Sequence, residues 1–448
     1  MSDEAINREG LRVAIGFPSA VMLVMGGMVG VGVFVNPAVV ARSLPDARLI
    51  LAAWIAGGVM AALGALVYGE LAARMPSTGG EYVYLRETYG PLVAFLFGWT
   101  LMLVVHTGGM AAVAIIFADN LNVVLGAHLP EGPVVICLLG LLAGLNCLGV
   151  RTGNGTQAWL GVLKVAAIVA LVGAGLFLAP HAAAAKPPPP IPNPLKAFGA
   201  GMIPVVFSYG GWQTTNYVAG EIKDPARNLG RALIVGVIGV MALYVSVNYA
   251  CLQALGVDAL AKTHTPTSDV LGLVAGPLGA RIAAGAIALS AVAFLSQSAL
   301  TGPRVFFAMA RDGLFFRQLA AISDGARVPA IAIIATCSWA GVLALTGSYD
   351  QILSYVVATN FLFFGVAAAG LFVQRRRDRL SGVHHAGYRA PGHPIATILF
   401  VIASALVVAS SLWSYPKNSL IGFGLMAIGV GPYLYWRSRQ LKELSAAP

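Results

Sequence analysis

Twelve apolar segments of about 20 residues follow one another along this chain, and nothing else in the sequence restricts the fold as strongly. They cover 15–41, 49–73, 91–125, 132–150, 157–179, 198–218, 231–256, 276–310, 329–346, 351–374, 394–413 and 418–436. Each is long enough to cross roughly 30 Å of hydrocarbon as a helix. Lipid offers no water to backbone N–H and C=O groups, so a spanning segment must be a helix or part of a closed barrel. Barrel strands alternate in polarity, and these segments do not. The expected fold class is therefore an all-α membrane protein with twelve transmembrane helices.

Composition supports this reading. Only 10% of the 448 residues are charged and 58% are hydrophobic, too few charges to cover a water-soluble globule. A soluble enzyme or nucleic-acid binder is excluded. The net charge of +10 reads as topology. With cytoplasmic termini, about 20 of the 28 Lys and Arg residues fall in cytoplasmic loops, as the positive-inside rule requires. The sequence shows no cleavable signal peptide, because the first apolar run is too long and no A-x-A site follows it. Cys137, Cys147, Cys251 and Cys337 lie inside apolar runs without metal-ligand spacing and read as small buried hydrophobes. No metal or cofactor is expected.

The chain divides into a cytoplasmic N-terminus (1–14), five spans (15–179), an external linker (180–197), five more spans (198–374), two further spans (394–436) and a cytoplasmic C-terminus (437–448). His181 to Pro194 is rich in Ala and Pro and reads as an extended spacer. Met75 to Gly90 holds Gly79-Gly80 followed by Glu81-Tyr82-Val83-Tyr84-Leu85, which reads as a short in-plane helix. Glu221, Lys223, Asp224 and Arg227 read as a solvated cluster, and the run Arg375 to Arg379 as a topology anchor that also suits anionic lipid.

Spans one and six are interrupted in matching places. Span one carries Gly26-Gly27-Met28-Val29-Gly30-Val31-Gly32-Val33-Phe34, and span six carries Phe207-Ser208-Tyr209-Gly210-Gly211-Trp212. Small residues alone usually mean close helix packing. Here both interruptions open a block of five spans, and an odd block must re-enter from the opposite side. That is the pattern of an inverted repeat with a midplane site. Unwinding frees N–H groups at one half-helix and carbonyls at the other. A zwitterionic amino acid suits both, with its carboxylate on N–H groups near Val31, Gly32 and Val33. Its ammonium would lie on carbonyls near Val29 and from Phe207 through Ser208 and Tyr209 to Gly210.

The chain then resembles the amino acid–polyamine–organocation superfamily, and within it the L-type amino acid transporter family of bacterial permeases. The resemblance rests on Gly30-Val31-Gly32-Val33-Phe34, on Tyr68 to Trp99, on Phe207 to Ala232 and on Pro303 to Gly313. It implies the leucine-transporter fold, ten helices in a 5+5 inverted repeat plus two peripheral ones, in a bacterial inner membrane. It implies sodium-independent transport of mostly neutral L-amino acids by alternating access, often as exchange. Phe207 matches the family's gate and Asn360 a tenth-span pocket residue. Val31 stands where many members have Ser, which removes a hydroxyl contact. Gly109 aligns with a third-span polar position, so Gly109 and His106 are candidate pocket lining. The loop from Gly126 to Pro133 lacks the cysteine of animal members, so no disulfide-linked heavy subunit is expected. The partners are the substrate and the lipid bilayer.

Lys164 is a charge placed at mid-membrane, where an ionisable residue is costly and functional by default. Its ammonium is expected on span-one carbonyls near Gly30 and on span-eight groups such as Ser296 or Ser298, where sodium-coupled relatives of the fold hold a cation. His106 reads either as a structural hydrogen-bonder or as pocket lining. Two neighbouring readings stay open: a proton-coupled symporter of the same fold, and an amino acid sensor that does not transport. A channel would need a polar stripe along several spans, which the sequence lacks.

Overall fold

A computed structural model describes residues 6–7, 9–182, 191–323, 325–346, 349–382 and 387–446. The described chain is helical throughout, with two isolated β-bridges, Ile6–Arg12 and Ile15–Ile222, and no strand longer than these. Each of the twelve apolar segments is largely helical over its described residues, and 15–41 and 198–218 are interrupted. Among the described residues, seven helices are long and apolar enough to cross a membrane, and an eighth span results when the bent pair Phe17–Met28 and Gly32–Ser43 counts as one. Glu131–Cys147, Gly161–Phe177 and Ala330–Thr346 are apolar but shorter.

Two packed groups make up the centre. In the first, α1 (Phe17–Met28) and α2 (Gly32–Ser43) pack with α3 (Ala47–Arg74), α9 (Pro194–Ser208), the 3₁₀ segment Trp212–Glu221 and α10 (Pro225–Lys262). In the second, α6 (His106–Leu125) and α7 (Glu131–Cys147) pack with α11 (Pro266–Thr301) and α13 (Ala330–Thr346). Between them, α8 (Val150–Phe177) touches α1, α10 and α11, and α14 (Tyr349–Ser381) touches α6, α3 and α15 (Ile395–Ser414). With no water to drive helices together in lipid, close packing holds such groups. The ring of Tyr209 fits against Gly57 and Gly58 of α3, where any added side chain would meet it at about its own contact distance or closer.

Several sequence expectations need correction. Glu221 is not solvated. It is fully buried and accepts two hydrogen bonds from the equally buried Arg304 of α12 (Pro303–Arg311), at 2.8 and 3.3 Å. The arginine run is more than an anchor. Arg375 bonds Glu70 of α3, Arg377 donates to the carbonyls of Glu87 and Thr88, and Asp378 pairs with Arg74. Cys137 is exposed on the helix surface, not buried. The linker reading falls partly outside the described residues, at 183–190. The stretch after Met75 forms α4 (Glu81–Tyr89), as its sequence suggests.

Candidate substrate site

The break in the first span lies between Met28 and Gly32, and the two halves are bent by 41°. The break in the second block is sharper. Helix α9 ends at Ser208, Gly211 takes φ +98°, and the chain continues as a 3₁₀ segment and not as a second α-half. Glycine is required here because a Cβ on Gly211 would lie 2.0 Å from the carbonyl oxygen of Gly27. The end of α1 and the unwound stretch after α9 therefore meet backbone to backbone, Gly27 against Gly211.

Three side chains hold the crossing. Asn36 of α2 donates from Nδ2 to Ser208 Oγ at 2.7 Å and to Pro204 O at 3.1 Å. The Tyr244 hydroxyl lies 2.7 Å from Met28 O and 3.1 Å from Ser208 O, so one buried tyrosine serves the carbonyl ends of both broken helices. Lys164, buried in α8, donates from Nζ to Gly26 O at 2.7 Å and Val29 O at 2.6 Å. The last carbonyls of α1 carry the negative end of its dipole, and the ammonium lies on that end.

The partners of Lys164 differ from those expected. Its span-one carbonyls belong to Gly26 and Val29. The span-eight hydroxyl that joins them is Ser290, 3.4 Å from Val29 O and 3.3 Å from Gly30 O. Ser296 and Ser298 lie nearly two turns further along α11, and the Ser298 carbonyl accepts from His106 Nε2 at 3.0 Å.

A cavity opens beside the crossing. Its wall combines Gly30, Val31 and Gly32 of the first break with Phe207, Ser208 and Gly210 of the second. His106 and Gly109 of α6 and Asn360 of α14 complete it. A π-turn at Leu101–Val105, a distortion common near functional sites, precedes α6, and its Leu101 and Val105 line the cavity. A Cβ on Gly109 would meet nothing within 4 Å, so the cavity extends over that position. Asn360 Oδ1 is buried without a hydrogen-bond partner in the protein.

Three expected contact residues fall outside the cavity wall. Val29 is buried and its carbonyl is taken by Lys164. Val33 faces the core. Tyr209 turns away to pack on Trp54 and Tyr244. The wall also includes residues the sequence reading passed over: Gln213, Thr214, Tyr217, Phe294 and Gln297. Gln297 Nε2 donates to Leu23 O, and a side chain on Gly26 would run into its Oε1. An amide inside an apolar span was the available signal for Gln297. Among the described residues no group of His, Cys, Asp and Glu is arranged to hold a metal.

The electrostatics of the cavity follow from helix ends. Helix α2 begins at Gly32, and Phe34 N–H already donates to Val31 O at 3.0 Å, whereas the N–H groups of Gly32 and Val33 have no earlier helical carbonyl to bond. They carry a partial positive charge. Helix α9 ends beside the same space, with Val206 and Phe207 in the wall. Its C-terminal end carries a partial negative charge, although Phe207 O already accepts from Gly210 N–H at 3.0 Å. An otherwise apolar cavity between opposite helix ends suits a small dipolar solute.

A helical membrane protein with a solute cavity between two broken helices belongs among the secondary transporters. The family model for amino acid permeases matches residues 15–433, and the chain belongs to that family, within the amino acid–polyamine–organocation superfamily. It is a membrane protein of amino acid transport. It is 30% identical to the large neutral amino acids transporter small subunit 2 of Mus musculus, over 96% of this chain and 82% of that one. It is 29% identical to the serine/threonine exchanger SteT of Bacillus subtilis (strain 168), over 90% and 92%. The Asc-type amino acid transporter 1 of Mus musculus is 27% identical over 97% and 84%.

Proposed function

We propose that the protein exchanges neutral L-amino acids across a bacterial inner membrane by alternating access and without sodium. The observation that carries this reading is the meeting of the α2 N-terminal end and the α9 C-terminal end in one apolar cavity. The substrate carboxylate binds the N–H groups at Val31, Gly32 and Val33, and its ammonium the carbonyl end of α9 around Phe207. Lys164 supplies, as a fixed charge on Gly26 O and Val29 O, what a sodium ion supplies in coupled relatives of the fold. Twelve spans in a 5+5 inverted repeat plus two fit the two packed groups, with α1, α2, α3, α9 and α10 rocking against α6, α7, α11 and α13. Phe207 is the gate.

Asn360 and Gly109 favour small to medium substrates with a polar side chain. The unpartnered Oδ1 of Asn360 accepts a hydroxyl, and serine and threonine are what the exchanger of Bacillus subtilis is named for.

Proteoliposomes loaded with unlabelled L-serine test the reading. Uptake of labelled L-serine is expected to need the internal amino acid and to be the same in sodium and in choline buffers. Equal uptake into empty vesicles, with acidification of the lumen, would instead identify a proton symporter. Binding without any flux would identify a sensor. Failure of every L-amino acid to compete would sink the assignment.

A further inference from the structure

The first residue of α4, Glu81, carries a carboxyl group that is fully buried and, among the described residues, is paired with no cation. Its Oε1 accepts a hydrogen bond from the Tyr68 hydroxyl at 2.8 Å, and its Oε2 has no partner within the protein. A buried carboxylate with neither counter-charge nor a full set of donors is among the least favourable groups a protein can hold, and the usual escape is protonation.

The surroundings give it no other means of neutralisation. The titratable groups facing it are Tyr68 on α3, Tyr84 on α4 itself and Tyr217 on the 3₁₀ segment. Charged groups on the adjoining elements are engaged elsewhere. Tyr82 and Arg86 are held by Asp312, Arg304 of α12 by Glu221, and Arg375 of α14 by Glu70. Phe364 of α14 and Phe400 of α15 pack edge-on to the Tyr68 ring. Desolvation accordingly pushes the Glu81 carboxyl up to about 8, with the Tyr68 hydrogen bond opposing only part of the rise.

Location gives the proton a consequence. Gly79 and Gly80, just before Glu81, lie against the 3₁₀ half of the broken span. The Gly79 N–H donates to Tyr217 O at 2.9 Å, and a Cβ on Gly80 would fall 2.7 Å from the Asn216 carbonyl carbon. Tyr217 also lines the substrate cavity. Both side-chain polar atoms of Asn216 and the hydroxyl of Thr215 are buried without partners in this seam. The seam between α4 and the 3₁₀ segment therefore borders the cavity at Tyr217, on the side that the charge asymmetry places in the cytoplasm, where its parting would open a gate.

We propose that Glu81 is a proton-binding site built into this gate. Its carboxyl holds a proton while α4 is seated on the 3₁₀ segment, and releases it to cytoplasmic water when the two part. The sign follows from proton counts. Between the ordinary carboxylate value of 4.5 and about 8 the closed gate keeps one proton that a hydrated carboxylate has lost. Closure is then weakened by at most about tenfold for each pH unit of rise, and the effect levels off above about 8. This direction rests on the cytoplasmic placement of α4, but the proton on Glu81 does not.

Infrared difference spectroscopy of the detergent-solubilised full chain reads the proton independently of transport. The wild type is expected to show a protonated-carboxyl C=O band at neutral pH that fades as the pH is raised through about 8. Glu81→Gln should lack the band. Tyr68→Phe, which removes one hydrogen bond and leaves the carboxyl, should shift it. No titrating band in the wild type, or a band that persists in Glu81→Gln, overturns the site. In proteoliposomes the wild-type exchange rate should rise with pH on the α4 side from about 5 to 8, and Glu81→Gln should be flat. A flat wild-type profile, or an equal slope in the variant, overturns the gating role. Exchange that fails altogether while the band titrates would point to an error in the transport reading, not in the proton site.

Discussion

An ammonium ion is stable in hydrocarbon only where something nearby carries opposite charge, and at Lys164 that something is peptide backbone. Two short charge-assisted bonds, each worth about 1.5–3 kcal/mol, join Nζ to the carbonyl end of α1. Removing the ammonium leaves Gly26 O without this donor and Val29 O with only the long bond from Ser290 Oγ, and takes away a tie between α1 and α8. Lys164→Ala is therefore expected to lower the initial rate of labelled L-serine exchange at least tenfold while the purified protein keeps a monodisperse profile in detergent. Wild-type uptake by that variant would remove Lys164 from the mechanism. Gly109 allows a test of the pocket that leaves the fold alone. A side chain there meets open space, so Gly109→Val should cost little stability. It should raise the half-saturating concentration of leucine far more than that of alanine, as competition curves would show.

At the scale of elements, the broken spans hold their shape through contacts that cannot stretch. Gly211→Ala would drive a Cβ into Gly27 O, and backbone does not yield as a side chain does. The variant is expected to abolish exchange and to lower the midpoint of thermal unfolding in detergent. The buried pair between Glu221 and Arg304 ties the 3₁₀ half-span to α12. Removing one partner strands the other charge, at a cost of about 3–5 kcal/mol. Glu221→Gln should therefore unfold at a clearly lower temperature than wild type, and the double variant Glu221→Leu with Arg304→Met should recover much of the loss. Destabilisation by the double variant equal to the sum of its two single variants would show that the pair is not coupled. The breaks themselves were legible in the sequence, because paired glycines in matching spans have few other uses. The 3₁₀ form of the second half was not. Helix type here is set by the close crossing at Gly27 and Gly211, which no local pattern announces. Likewise Glu221 and Glu81 lie between apolar runs, and Arg304 near the end of one, where charges ordinarily meet water. Only tertiary packing reveals that water is absent. Lys164 was legible for the opposite reason, since apolar residues flank it on both sides.

Across the whole molecule, one distribution of charge serves both orientation and architecture. The arginines that crowd one end of the bundle are also structural ties there: Arg74 and Arg375 grip Glu70, Arg377 holds the end of α4 through Glu87 O and Thr88 O, and Arg86 reaches Asp312. The opposite end is held more simply, as where Arg42 donates to Ala261 O and Thr263 O. Positive residues are retained on the cytoplasmic side during insertion, so the positive-inside rule predicts that the end carrying α4, α12 and the Glu81 seam is the inner one. Reversing that orientation would need the ties to cross the membrane while still charged, before their carboxylate partners are in place. In intact cells, an epitope tag after Pro448 should therefore be shielded from added protease and antibody. A tag inserted within 183–190 should be accessible to both. Adding lysines to that linker is expected to weaken the bias, with a measurable fraction of chains inserting inverted. A C-terminal tag exposed on intact cells would overturn the orientation and move the Glu81 gate to the outer face.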